Sequence, residues 1–217
     1  MKNEQFTIVI PFYDGLDTIR ELVDRIEAVF EKQDYTCQII IVDDSAPGAK
    51  HEMLQQWFGT KEKVTIMKLP SNEGQHRATL HGLRATTNGS VVTLDEDLQH
   101  CPEDIPKLIR VKTEGDFDVV YGSRKSKDWR FWIGKVILKS CFPNGPKTTC
   151  SFRVISQPTI EELVSQDVLF SQIEGMLYNL RPSYGYAEIQ LNPTGRVKEN
   201  STYSTKKAFI LISNLIA

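Results

Sequence analysis

The chain has 217 residues, 40% hydrophobic and 25% charged, with a formal net charge of -2. That length suits one domain with one sizeable core, and the composition excludes a disordered or collagen-like chain. Near-balanced charge exerts no global pull on nucleic acid, so no nucleic-acid partner is expected.

Residues 6–11 (FTIVIP) form a short continuous apolar run, the pattern of a strand buried on both faces. Charged residues lead straight into it, so no signal peptide is expected and the chain is read as acting in, or facing, the cytosol. Asp17-Thr18 reads as a helix cap, followed by Leu22, Ile26, Val29 and Phe30 at helical spacing. Residues 38–42 (QIIIV) are a second strand ending in Asp43-Asp44-Ser45, residues 51–58 a short helix and residues 64–68 a third strand. A helix is predicted over 75–86, and a fourth strand over 90–94 that runs into Asp95-Glu96-Asp97. Pro102 opens another helix to about residue 113, and residues 118–121 are a fifth strand. Alternation of this kind argues for an α/β domain around a mainly parallel sheet, with its ligand crevice beyond the carboxyl ends of the strands. Asp14, Asp43, Asp44, Asp95 and Asp97 all fall at such ends.

After Tyr121 the rhythm breaks. Residues 124–147 carry seven positive side chains against Asp128, with Trp129, Phe131 and Trp132 interleaved. Residues 160–164 and 170–180 read as helical, and 184–191 as strand-like. The chain finishes with Lys206-Lys207 and AFILISNLIA, ten residues where a bilayer span needs about 20. Cys37, Cys101, Cys141 and Cys150 lack a CxxC or a nearby His pattern, which favours plain thiols over disulfides or a metal site.

Asp95-x-Asp97 is the centre of the chemistry. Two carboxylates two residues apart past a strand end can share one hard divalent cation that keeps positions open for diphosphate oxygens. The bland alternative is a solvated acidic turn. Asp43-Asp44 sits where an acid commonly accepts from a ribose or base, or else caps the next helix. Asn72-Glu73-Gly74-Gln75 precedes a helix, and Gly74 permits a positive φ with a close backbone approach to an anion, unless the segment is a plain turn. His51, His76, His81 and His100 are not spaced as a metal set. With no GxxxxGK[ST] and no GxSxG, neither a P-loop nor a serine hydrolase is expected.

With those residues in view, the sequence resembles inverting family-two glycosyltransferases of GT-A fold, above all the dolichyl-phosphate mannose synthase and undecaprenyl-phosphate glycosyltransferase branch. VIPFYDG (9–15) resembles VIPxYNE, and IIVDDSAPG (40–48) resembles IVDDxSxDG. NEGQHRATLHGL (72–83) is similar to NxGxxxAxxxG, and VVTLDEDLQHCPEDIPKLI (91–109) to LDADLQxPPExIPxLI. DVVYGSR (118–124), TCSFRVIS (149–156) and RVKENSTYS (196–204) resemble later blocks, in order, over nearly the whole chain.

The resemblance implies a GT-A, mainly parallel sheet flanked by helices. Residues 1–204 would be the catalytic domain and 205–217 the start of a membrane-associated segment, since relatives continue into membrane helices. It implies that Pro11, Tyr13, Asp14, Asp43, Asp44, Asn72 and Gly74 line the nucleotide-sugar site. It further implies that Asp95, Asp97 and Gln99 gather around Mg2+ or Mn2+, and that Arg124 meets the phosphate of a polyprenyl acceptor at the cytoplasmic face of a membrane. Four departures stand out: Asp14-Gly15 for Asn-Glu, Glu96 for a small residue, Ser151 for an Asp found in some relatives, and Glu199 for Gly. A phosphate acceptor needs no general base, because its second pKa of about 6 leaves it largely dianionic at pH 7. Two readings stand beside this one: transfer to a glycan hydroxyl with Asp167 or Glu174 as base, and a sugar-nucleotide-binding module without catalysis.

Overall fold

The computed structural model describes residues 5–33, 35–46, 48–87, 89–123, 145–166, 172–190 and 192. Arg124, the Trp129–Trp132 cluster, Asp167 and residues 193–217 lie outside them, and with them the predicted membrane-proximal segment. Among the described residues no helix is long and apolar enough to cross a membrane.

Seven strands form one sheet: β1 (Gln5–Phe12), β2 (Thr36–Asp43), β3 (Val64–Lys68), β4 (Ser90–Thr93), β5 (Val119–Ser123), β6 (Arg153–Ile155) and β7 (Tyr184–Glu188), in the order β3-β2-β1-β4-β6-β5-β7. β1 pairs in parallel with β2 and β4, β2 with β3, and β5 with β7. β6 alone among them runs antiparallel, wedged between β4 and β5. The mainly parallel α/β sheet expected from the sequence is therefore the one observed.

The apolar runs form the middle of this sheet because both its faces are covered. Odd and even positions of β1 serve opposite sides: Phe6, Ile8, Ile10 and Phe12 belong to one core and Val9 to the other. On the first face lie α1 (Leu16–Gln33), α2 (Ala49–Phe58) and α4 (Ile105–Gly115), the last preceded by a 3₁₀ turn over Pro102–Asp104. α1 buries Ile19, Leu22, Val23, Ile26 and Phe30, an i, i+3, i+4, i+7 stripe. It starts at Leu16, so Asp17 lies in its first turn instead of capping it, and the Thr18 hydroxyl donates to the Gly15 carbonyl. On the second face lie α3 (Gln75–Arg84), α5 (Gln157–Ser165) and α6 (Ile173–Leu180). Gly82 lets α3 press on the sheet, since a Cβ there would stand 2.4 Å from Val9 Cγ1.

Candidate active site

The carboxyl ends of β1, β2 and β4 open on one cleft of about 280 Å³, with walls that include Tyr13, Asp44, Gly74, Asp95, Glu96 and Asp97. Four carboxylates line it, and they are not equivalent. Asp44 accepts from the backbone N–H of Glu73 at 2.7 Å and of Gly74 at 2.8 Å, and from the Asn72 amide at 3.2 Å. It thus holds the loop before α3, where Gly74 adopts the positive φ of 87° that the sequence anticipates. The amides of that loop are already turned on an anion of the protein's own. Glu96 accepts from the backbone N–H of Tyr13 at 2.9 Å and of Asp14 at 3.1 Å.

That leaves Asp95 and Asp97. The Ser151 hydroxyl donates to Asp95 Oδ2 at 2.7 Å, and the Gln75 amide to Oδ1. Burial pushes the Asp95 carboxyl up to about 6, with the neighbouring Asp97 charge adding to the rise and the Ser151 bond opposing it. Asp97 Oδ1 accepts from Gln99 N at 3.0 Å, closing an Asx-type turn over Leu98, a buried residue with φ 57°. A non-glycine residue in that region costs about 1–2 kcal/mol, here against the burial of the leucine side chain.

A second cleft, of about 350 Å³, shares Pro11, Gln75 and Asp95 with the first. Its wall contains an ion pair, between the buried Arg153 and the partly exposed Glu174, that motif reading did not find: Arg153 Nη1 meets Glu174 Oε1 at 2.6 Å, and His76 Nδ1 approaches Glu174 Oε2 at 3.5 Å. Burial alone would raise the Glu174 carboxyl, but the charges of Arg153 and His76 outweigh it and lower its pKa. Ser151 and Cys150 lie in the same wall. Burial holds the Cys150 thiol up at about 11, and Cys37, Cys101 and Cys150 are free thiols as expected.

The structure brings together Pro11, Tyr13, Asp44, Asn72, Gly74, Asp95 and Asp97 of the residues anticipated for the site. Asp14 stands beside them, paired with Lys50 Nζ at 2.8 Å. Asp43 lies beneath, fully buried, and accepts from Ser45 and from His51 Nδ1 at 2.9 Å, with Lys68 Nζ 3.2 Å away. Those bonds outweigh the cost of burial and lower its pKa. Gln99 contributes its backbone to Asp97 and lines neither cleft. Tyr13 is the large hydrophobic residue left exposed among those described, at 52%.

Residues 7–158 match the model of glycosyl transferase family 2. The chain belongs to this family. Its sheet is the GT-A arrangement that the sequence motifs imply. It is 35% identical over 135 residues to an undecaprenyl-phosphate 4-deoxy-4-formamido-L-arabinose transferase of Pseudomonas syringae pv. syringae (strain B728a), covering 60% of this chain and 40% of that protein. The same identity, over 128 residues, relates it to the transferase of that name from Sodalis glossinidius (strain morsitans), covering 58% and 39%. The chain thus spans about 40% of the length of these curated relatives. Among solved structures, glucosyl-3-phosphoglycerate synthase of Mycobacterium tuberculosis, bound to Mn2+, UDP and glucosyl-3-phosphoglycerate, superposes with a TM-score of 0.70 at 16% identity, covering 98% of this chain and 77% of that one. A mannosyltransferase of Pyrobaculum calidifontis with GDP-Man and Mn2+ gives 0.63 at 16%, covering 87% and 56%.

Proposed function

We propose that this family 2 member moves a sugar from a nucleotide-sugar to a polyprenyl phosphate, inverting the anomeric centre, with Mg2+ or Mn2+. The observation that carries the reading is the pair Asp95 and Asp97 in one cleft, where Asp44 and Glu96 have both carboxylate oxygens bonded to backbone amides, while Asp95 is met by side chains and Asp97 by one amide on Oδ1. Among the described residues no group of three or more His, Cys, Asp or Glu converges on one point. A two-carboxylate donor set fits a cation that completes its shell with phosphate oxygens, not a closed protein cage. When bound, such a cation supplies positive charge against that building on the departing diphosphate. Tyr13 offers an exposed ring face for a base, and Asp44 with the 72–74 loop forms the wall for the ribose and diphosphate. Asp43, with Ser45, His51 and Lys68, supports that wall from beneath.

Supporting the acceptor are the undecaprenyl-phosphate transferases among the relatives and the chemistry of the second cleft. In the transfer an acceptor oxygen bonds to the anomeric carbon as the bond to the diphosphate breaks and the nucleoside diphosphate leaves. A hydroxyl acceptor must give up a proton to a base at that moment; a phosphate dianion need not. Glu174 is a poor base, because Arg153 holds it ionised and lowers its pKa. Ser151 spends its proton on Asp95. Both facts favour the phosphate. We assign Arg124, the residue after β5, to that phosphate, since its planar fork suits bidentate contact. The basic, Trp-containing stretch over 124–147 and the tail over 205–217 are assigned to the cytoplasmic membrane surface. The test is transfer from a panel of radiolabelled UDP- and GDP-sugars, with divalent metal, with and without undecaprenyl phosphate. A lipid-linked product is expected with one donor; transfer to a glycan hydroxyl alone would refute the acceptor.

A further inference from the structure

Glu96 lies between the two carboxylates assigned to the cation, yet its own carboxylate reaches 83 and 82 residues back along the chain, to Tyr13 N and Asp14 N. Both bonds are charge-assisted, and a two-pronged grip fixes direction as well as distance. Gly15 makes the room. A Cβ at that position would stand 2.8 Å from Glu96 Cδ and 2.9 Å from its Cγ, closer than real Cβ atoms approach. Positions 15 and 96 are also two of the sequence's departures, Gly for Glu and Glu for a small residue, and the fold sets them in contact. A carboxylate side chain stands on the opposite side of the contact, and the glycine accommodates it. The loop so gripped carries the exposed Tyr13 ring and the Asp14–Lys50 pair, with Lys50 Nζ 5.4 Å from the centre of that ring.

We propose that Glu96 is a positioning residue that ties the loop over residues 13–15 to the turn over residues 95–97, so that a cation on the turn and a nucleoside on the loop each strengthen binding of the other. This rests on the nucleotide-sugar reading above. Ordering the turn around a cation orders the backbone of Glu96, and the loop follows through two amide bonds. Freedom given up for the first ligand is not given up again for the second. The coupling is reciprocal by linkage.

Titration with uridine and with guanosine tests this, because neither carries a phosphate that could bridge to a cation. In the wild type, saturating Mg2+ should tighten the nucleoside that binds by roughly fivefold. Glu96→Ala should erase that gain, and Glu96→Gln, which keeps one good acceptor oxygen, should retain part of it. Melting curves report whether each variant folds, and the isosteric Gln variant carries the test if the Ala variant does not. Donor KM should rise roughly tenfold in Glu96→Ala while kcat stays within about twofold. Gly15→Ala should weaken nucleoside binding in the wild type and weaken it less beside Glu96→Ala, where the Thr18 hydroxyl, 2.9 Å from the added Cβ, still crowds it but the Glu96 side chain does not. Equal coupling with and without the Glu96 carboxylate overturns the proposal, as does a wild type whose nucleoside affinity ignores Mg2+. A wild type that binds no nucleoside or nucleoside diphosphate overturns the nucleotide-sugar reading itself.

Discussion

The two clefts share Asp95 but are built on different principles. In the first, carboxylates are held by backbone amides of surface loops: Asp44 by Glu73 and Gly74, Glu96 by Tyr13 and Asp14. In the second, charge is held by opposite charge inside the protein, Arg153 against Glu174. Loop amides can move with a ligand, whereas an ion pair anchored on a buried arginine is committed to the fold. The first cleft is thus suited to closing on a donor, and the second to presenting a rigid wall to whatever attacks it. Damage to each should register differently, in binding for the first and in stability for the second.

The largest stability effect is expected at Arg153. Arg153→Met strips the mostly buried Glu174, its side chain 20% exposed, of its closest partner and leaves it only His76, which should cost up to about 3 kcal/mol in urea unfolding. Adding Glu174→Leu should recover most of that loss, because no charge is then left uncompensated. A loss under about 1 kcal/mol would mean that the pair is solvated and that the contrast between the clefts is wrong. Asp44→Ala comes next, and it should divide its effect. Two loop amides lose their acceptor, for about 1–3 kcal/mol of stability, while donor KM rises roughly 10- to 100-fold, equivalent to about 1.4–2.7 kcal/mol. An unchanged donor KM would detach this loop from the nucleotide. The smallest effect concerns pH and Asp43. Its native pKa lies below the ordinary value of 3.8, so its contribution to stability is present above that value and is lost as pH falls through the lower native one. The gap in Tm between wild type and Asp43→Asn should therefore be widest near neutrality and shrink toward pH 3. A gap independent of pH would show that Asp43 acts by packing alone.

Much of this arrangement was legible because burial on both faces writes itself as unbroken apolar runs. FTIVIP and QIIIV could hardly be anything but central strands, and in a parallel sheet the acids after them had to fall at one edge. β6 was not legible as a strand. Three residues are too few for a period, and one of them is the charged Arg153, which enters the sheet because Glu174 neutralises it from α6. The same gap hid the second cleft, since a pair separated by 21 residues leaves no motif. Asp43 and Asp44 look alike in sequence, yet one turns inward to Ser45 and His51 and the other outward to the loop before α3. Neighbours on a strand end face opposite ways, and their partners come from distant segments. Glu96 reads in sequence as extra charge beside the cation site; the fold spends that charge on two amides of the β1 loop.

The central claim is that Asp95 and Asp97 hold a divalent cation for sugar transfer from a nucleotide-sugar. Its most direct test is the rate of transfer to undecaprenyl phosphate at saturating donor, for wild type and Asp97→Ala, with Mn2+ present and after chelation. The account predicts a loss on the order of 10³-fold for the variant, a similar loss on chelation of the wild type, and restoration by added Mn2+ in the wild type alone. Transfer at the wild-type rate in Asp97→Ala, or undiminished by chelation, would contradict it.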